Sequence, residues 1–436
     1  MTCAGSSLVK HETEAPLQAD RERKDEDLHF RKAGLCVMNG KFAATLICLS
    51  LVSSCSRNAA LRVADGSVSD HGAAAQPDAE ECCSAIFDGA FSWTGSMTVA
   101  RIGHAASLLG DGRVLIVGGD DVRNASLQVG SAELYDSASG TFTAAGNLLN
   151  VRAYSTATLI GNNRVLVAGG MANISVGGTS DAQAELYDPS TGIFSATGSL
   201  TAGQRVYHTA TALLDGNVLI AGGLPLVSLA PADPHADVYD VRTGSFSATG
   251  NMMVARFQHT ATLLVDGRVL IAGGKGDGGL NASAELFNPS TRVFASTGSM
   301  MVARYSHTAT ILEDGRVLVA GGADNDGKAL GSAELYDPTT GSFTGTGGLV
   351  ANRYGHSATL LCDGTVLVVG GSDGLGNVLA STEFYDPRTG TFRAIAVLLG
   401  SGRSGHTAAR LCSGKVLIAG GVDASTSNLS TAELYE

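Results

Sequence analysis

A Gly-Gly pair recurs seven times along the chain, at Gly118-Gly119, Gly169-Gly170, Gly222-Gly223, Gly273-Gly274, Gly321-Gly322, Gly370-Gly371 and Gly420-Gly421, and each pair ends a short apolar run. The six intervals from Gly118 to Gly420 give a period of about 50 residues. A period of that size marks a solenoid, a propeller or an array, and the content of the unit decides which.

Residues 256–298 hold one complete unit. Arg256 and His259 open it, followed by an apolar stretch from Thr260 to Val265, then Asp266-Gly267, a second run from Arg268 to Ala272, and the Gly pair. A loop of variable length leads to Ala284-Glu-Leu-Phe287, then Asn-Pro-Ser-Thr at 288–291, then Val293-Phe294. The apolar runs have strand length, are rich in Val, Leu, Ile and Thr, and are bounded by turn residues. Asp-Gly between two runs predicts a two-residue type I′ hairpin. Asp-Pro-x-Thr-Gly, at 188–192, 337–341 and 386–390, predicts a type I turn whose later Gly absorbs a bulge. Each unit is therefore four antiparallel strands, and nothing after residue 85 reads as a helix. Tandem four-stranded sheets pack radially as blades, which leaves only short, protected edges. An aromatic pair seven residues apart (Tyr135/Phe142, Tyr187/Phe194, Tyr239/Phe246, Phe287/Phe294, Tyr336/Phe343, Tyr385/Phe392) is expected to fill the space between blades.

Gly-Gly, then a Tyr, then an aromatic seven residues on, in a four-stranded unit of this length, resembles the kelch repeat. The arrangement is similar to bacterial kelch-motif proteins and to the propeller domain of galactose oxidase, and it covers residues 86–436. The usual outer Trp is Phe in these copies. The resemblance implies an all-β, seven-bladed kelch-type β-propeller. The seventh copy stops at Tyr435-Glu436, one strand short, while Phe91-Ser-Trp-Thr-Gly-Ser-Met97 aligns with Phe194-Ser-Ala-Thr-Gly-Ser-Leu200. The N-terminal strand is thus expected to complete the last blade, three strands plus one, and to cover its open edge.

The first 37 residues are charge-dense and unlike the rest, so residues 1–37 read as a non-native or mis-annotated extension. From Met38 a short basic region, eleven mostly apolar residues and small residues before a cleavage point make a secretory signal, 38–55. Eleven residues are too few to span a bilayer. Val52-Ser-Ser-Cys55 resembles a bacterial lipobox, which would make Cys55 the lipidated first residue of the mature chain. Residues 56–85, rich in Ala, Ser and Asp, read as a tether, leaving 86–436 for the propeller. The expected location is the cell envelope, with membrane contact through the lipid alone.

From Ser56 onward 22 Lys+Arg face 34 Asp+Glu, which argues against nucleic acid or an anionic membrane surface as a partner. Export permits disulfides, and Cys82, Cys83, Cys362 and Cys412 are available; a bond from Cys82 or Cys83 to Cys412 would staple the closure, and free buried thiols are the alternative.

Seven copies allow an internal comparison. Arg101, Arg152, Arg205, Arg256, Arg304, Arg353 and Arg403 recur, as do acids on the third strand, Glu133, Glu185, Asp237, Glu285, Glu334, Glu383 and Glu433. Strand polarity brings both sets towards one face. They either brace each blade or form a ring of guanidinium groups around the channel mouth, suited to carboxylates or sugar hydroxyls; kelch resemblance makes these seven arginines the ligand-binding candidates. His104, His208, His259, His307, His356 and His406 are also repeat positions, with Ser155 the exception, and read as core histidines. The second-to-third loops vary most, with Asp120-Asp121, Asp277, Asp324-Asn-Asp326, Asp373, Asp423 and a Pro-rich insert from Leu224 to Asp233. Asp324-Asn-Asp-Gly327 echoes a calcium loop without its downstream Glu or spacing.

Two function classes follow. One is a binding module, a monomeric envelope lipoprotein with a protein or glycan ligand and no cofactor, catalytic residue or metal ligand. The other is a galactose-oxidase-like copper oxidase acting on carbohydrate, whose resemblance implies two His ligands. Only His235 lies outside the repeat pattern, so a two-His site would have to borrow a repeat histidine.

Overall fold

Blade four shows how one unit folds. In the computed structural model, Thr260–Leu263, Val269–Ala272, Ala284–Asn288 and Val293–Ser296 form one antiparallel sheet in sequence order. The second strand is Val, Leu, Ile and Ala, and all four residues are buried, as they are in the second strand of every blade. That strand has a neighbouring blade against each face, so it reads as a continuous apolar run and does not alternate. The structure describes residues 89–121, 127–171, 182–225 and 231–436. The extension, signal segment, Cys55 and tether lie outside these residues.

The Asp-Gly turns are not the two-residue type expected. Leu264 N donates to Arg268 O at 2.8 Å and Gly267 N to Leu264 O at 3.0 Å, so three residues cross between the strands. Gly267 has φ 85°, whereas Asp266 is not among the positive-φ residues that a type I′ turn would require at both central positions. The Asp266 carboxylate instead accepts from Arg268 N at 3.0 Å, which holds a type I turn followed by a left-handed glycine. The Asp-Pro turns match expectation: Gly341, φ 66°, donates to Asp337 O at 2.8 Å.

In chain order, blades one to seven span residues 105–147, 156–199, 209–248, 260–296, 308–345, 357–395 and 407–435. Their first strands touch in succession around an axis, and the seventh touches the first. The core is divided accordingly into seven clusters, each built from two adjacent blades. Between blades three and four, Leu219, Val238 and Met252 pack against Val269, Ile271, Phe287 and Phe294. Phe287 and Phe294 sit opposite each other on strands three and four, centroids 4.9 Å apart, and the other aromatic pairs repeat this.

Phe91–Trp93 pairs antiparallel with Ala432–Tyr435, and the last sheet runs from this N-terminal strand inward through the C-terminal strands. Backbone bonds between Ala90 and Glu436 extend the seam in both directions, and Met97 enters the core between blades seven and one. The ring closes three-plus-one. Trp93, however, is 57% exposed, so only Phe91 and Met97 anchor the strand in the core.

Cys362 carries a disulfide, and its partner, like Cys82 and Cys83, lies outside the described residues. The bond therefore falls on blade six and not on Cys412 of blade seven.

Candidate functional site

The seven arginines enter their blades just before the first strand, and all are buried. In blade four the Arg256 guanidinium spends every donor: Nε to Val254 O (3.2 Å), Nη1 to Gly273 O (2.8 Å) and Ser283 O (2.9 Å), Nη2 to Ser283 Oγ (3.0 Å) and Glu285 Oε1 (2.8 Å). Glu285 also accepts from the backbone N–H groups of Met253 and Val254. One ion pair thus ties the entry to strand one, the end of strand two and the start of strand three. Arg101–Glu133, Arg152–Glu185, Arg304–Glu334, Arg353–Glu383 and Arg403–Glu433 repeat it at 2.5–2.8 Å. These arginines brace their own blades, and the expectation of a guanidinium ring open to ligand is corrected by their burial. The signal was in the sequence: each arginine precedes by 17 residues the glycine whose carbonyl it binds.

Blade three departs from this pattern. Asp237 is one methylene shorter than Glu, and its carboxylate lies 3.7 Å from Arg205 Nη2. Asp233, from the Pro-rich insert, supplies a second carboxylate 3.3 Å from Nη1. The other oxygen of Asp233 lies 2.5 Å from His235 Nδ1, so the histidine outside the repeat is fastened to the same acid.

The repeat histidines form an inner belt. His307 Nε2 meets Thr260 Oγ1 of the preceding blade at 3.0 Å, and His104–Thr407, His208–Thr156, His259–Thr209, His356–Thr308 and His406–Ser357 do the same at 2.9–3.2 Å. Burial, reinforced by the arginine of the same blade, lowers the pKa of His104, His208, His307 and His406 to about 3, and His259 and His356 are also well below their usual range. All are neutral. The Gly-Gly pair exists to admit them: a Cβ on Gly273 would lie 2.7 Å from His307 Cε1, and one on Gly274 would lie 2.7 Å from His259 Cβ.

What differs between blades gathers at the channel mouth. The third residue of each Arg-x-x-His segment has positive φ, filled by Gly103, Gly355 and Gly405 in three blades but by Tyr154, Tyr207, Gln258 and Ser306 in the others. A non-glycine residue there costs on the order of 1–2 kcal/mol. Gln258 and Ser306 are buried, whereas Tyr154 and Tyr207 are partly exposed. Their rings are 5.2 Å apart, Phe257 follows 6.4 Å from Tyr207, and the Tyr154 ring covers Gly103. Beyond their burial, Asp120 acts electrostatically on both phenols, raising the pKa of each. Burial, then the Asp121 carboxylate, raises the pKa of Asp120; burial, then Asp120, pushes Tyr207 up to about 12. Sequence reading passed over this arc because its residues break the repeat at a position where side-chain identity does not affect the blade pattern.

Three of the acidic loops are closed on themselves, while Asp277 Oδ1 accepts from Ala232 N of the preceding blade's insert at 2.9 Å. Asp324 Oδ1 accepts from Asp326 N and Lys328 N, and Asp373 and Asp423 cap their turns likewise. Among the described residues no three His, Cys, Asp or Glu converge on a common metal position. A copper site of two histidines does not fit the described residues either: the belt imidazoles are buried and bonded across blades, and His235 is held by Asp233.

Fold and site together define a seven-bladed kelch-type β-propeller. The Kelch motif matches residues 353–396, from the brace Arg353 to the end of the fourth strand of blade six. Among solved structures, a fungal alcohol oxidase with catalytic diversity among the AA5 family, in complex with copper, is similar with a TM-score of 0.64 and 16% identity, covering 80% of this chain and 76% of that one. The structure of YjhT is similar with a TM-score of 0.51 and 14% identity, covering 65% of this chain and 94% of that one. At such identities the likeness is one of fold. No curated protein matches the sequence.

Proposed function

We propose that the chain is a ligand-binding module, displayed on the cell envelope by a lipid on Cys55 and recognising a glycan or protein through the face where the fourth-to-first and second-to-third loops emerge. One observation carries this reading. The polar residues common to all blades are consumed inside them, while residues that differ between blades (Tyr154, Tyr207, Phe257) are only partly buried and collect at the mouth. Kelch propellers as a class serve as interaction modules, and the acidic balance from Ser56 onward favours neutral or cationic ligands over polyanions.

The anchor is tested by Cys55→Ser, which should move the protein out of the membrane fraction with its melting temperature unchanged. Retention in membranes together with incorporation of a palmitate analogue overturns the lipid assignment. The binding role is tested by titrating the full chain with envelope polysaccharide; retardation that survives high salt supports it. A second reading, the carbohydrate-oxidising copper enzyme, draws on the likeness to the copper-bound alcohol oxidase. Stoichiometric copper after dialysis, with alcohol-dependent peroxide release, would replace the binding reading.

A further inference from the structure

We propose that the arc of Tyr154, Tyr207 and Phe257, with the Asp120 carboxyl beside its first two rings, is a subsite for one neutral pyranoside ring of a glycan. The proposal rests on the reading of the propeller as a binding module and names the chemistry of its ligand. The fold does not need these phenols. At the third position of the Arg-x-x-His segment the framework uses only backbone: Tyr154 N donates to Gly103 O at 2.7 Å, Gln258 N to Tyr207 O at 3.1 Å, and Gly405 N to Gly355 O at 3.0 Å. Glycine serves this purpose in three blades without strain. Blades two and three instead hold tyrosine in a left-handed conformation at a position that is not fully buried, and unforced strain of this kind points to function.

The chemistry of the arc fits a sugar. Aromatic rings side by side offer apolar faces to the C–H face of a pyranose, and phenol and carboxyl groups at their edge can bond its hydroxyls. Charge narrows the class further. The seven guanidinium groups are buried and paired, and Lys275, the backbone partner of Phe257, holds its ammonium 5.3 Å over the Tyr305 ring. Among the described residues the charge acting on the two phenols is the carboxyl of Asp120, with Asp121 next to it, and two adjacent acids disfavour uronates and other anionic sugars.

The test uses the full chain with cellotetraose, mannotetraose and galactotetraose as neutral probes, tetragalacturonate as the anionic comparator and the glucosamine tetramer as the cationic one. Affinity by calorimetry and melting temperature are measured for wild type, Tyr207→Gly, Tyr154→Gly and, should a glycine variant fail to fold, Tyr207→Asn, since Asn tolerates the left-handed region. The expected result is binding of at least one neutral tetramer, weakened tenfold or more by either Tyr change, with the melting temperature held or raised. Unchanged affinity in the variants overturns the subsite and leaves the binding module standing. Binding confined to a charged comparator overturns the neutral class, and no binding by any probe overturns the sugar assignment. A melting loss as large as that of Arg256→Ala would make the rings structural and overturn the proposal as well.

Discussion

His307 Nε2 lies 3.0 Å from Thr260 Oγ1 across the boundary between blades five and four, and six of the seven boundaries carry this same bond. The seventh lacks both partners at once. Blade one has Ala105 where the others have Thr or Ser, and blade two has Ser155 where the others have His. A second interblade bond is missing from the same boundary. Tyr135, Tyr239, Tyr336 and Tyr385 bond a Thr of the preceding fourth strand at 2.8–3.0 Å, but Tyr187 faces Ala145. The Tyr187 hydroxyl and the Ser155 hydroxyl are buried there without hydrogen-bond partners. The seam between blades one and two lacks both of these side-chain bonds and is held by its apolar cluster together with bonds to the backbone, such as Tyr154 N to Gly103 O and Gly110 N to Asn163 Oδ1.

Rebuilding that belt bond should strengthen the seam. Ala105→Thr with Ser155→His is expected to raise the melting temperature, with a favourable coupling of about 1 kcal/mol in a double-mutant cycle, the usual net worth of a hydrogen bond. Each single change leaves one polar group unmatched and should be neutral or destabilising. Strict additivity of the two changes would show that the belt bond contributes nothing.

The belt also sets a pH dependence. Histidine titrates near 6.5 in the unfolded chain, while His104, His208, His307 and His406 are lowered to about 3 by burial. Between those values the unfolded state binds more protons, so stability is full above about pH 6.5 and falls as pH drops towards 3. Each histidine should cost about 2 kcal/mol at pH 5, enough in combination to unfold a typical domain. A melting temperature flat from pH 7 to 4.5 would contradict this. His307→Gln, which removes one of these sites beside Arg304, should make the acid slope shallower.

Closure by the N-terminal strand predicts that deleting residues 86–97 costs several kcal/mol, through the loss of Met97 and Phe91 from two clusters and exposure of the Ala432–Tyr435 edge. Trp93→Ala alone should cost far less, because that ring is largely in solvent. Thermal unfolding and aggregation measured together check both. A truncated protein as soluble and heat-stable as its parent would rule the closure out.

Blade three offers an internal control on the braces. Glu285→Ala leaves the buried Arg256 without a carboxylate and should cost about 3–5 kcal/mol. Asp237→Ala leaves Arg205 with Asp233 at 3.3 Å and should cost clearly less. Equal losses would mean that Asp233 does not share the charge.

The architecture was legible because a fifty-residue period, strand-length apolar runs and the Phe91–Met97 echo of a fourth strand all answer to the same packing constraint. The brace was legible in outline, since Arg and acid recur in every copy, but recurrence does not distinguish a buried pair from an open ring. Burial of Arg256 follows from how strands two and three converge on Gly273 O, and that convergence is a tertiary fact. The Asp-Gly turn was misread because the dipeptide fits two turn types, and the side-chain bond from Asp266 to Arg268 N decides between them. The aromatic arc was hidden for a different reason. Tyr154, Tyr207 and Phe257 come from three blades and occupy two different positions of the segment, so no single copy displays them together.

The central claim is a division of labour: buried Arg–carboxylate pairs hold the blades, and the mouth binds. Its most direct measurement is the melting temperature of Arg256→Ala, Arg304→Ala and Arg353→Ala, each read beside Tyr207→Gly under the same buffer. The account predicts a loss of about 3–5 kcal/mol for every arginine variant, because each strands a buried glutamate, and little or no loss for the tyrosine variant. Arginine variants that melt with the wild type while losing ligand affinity would contradict it.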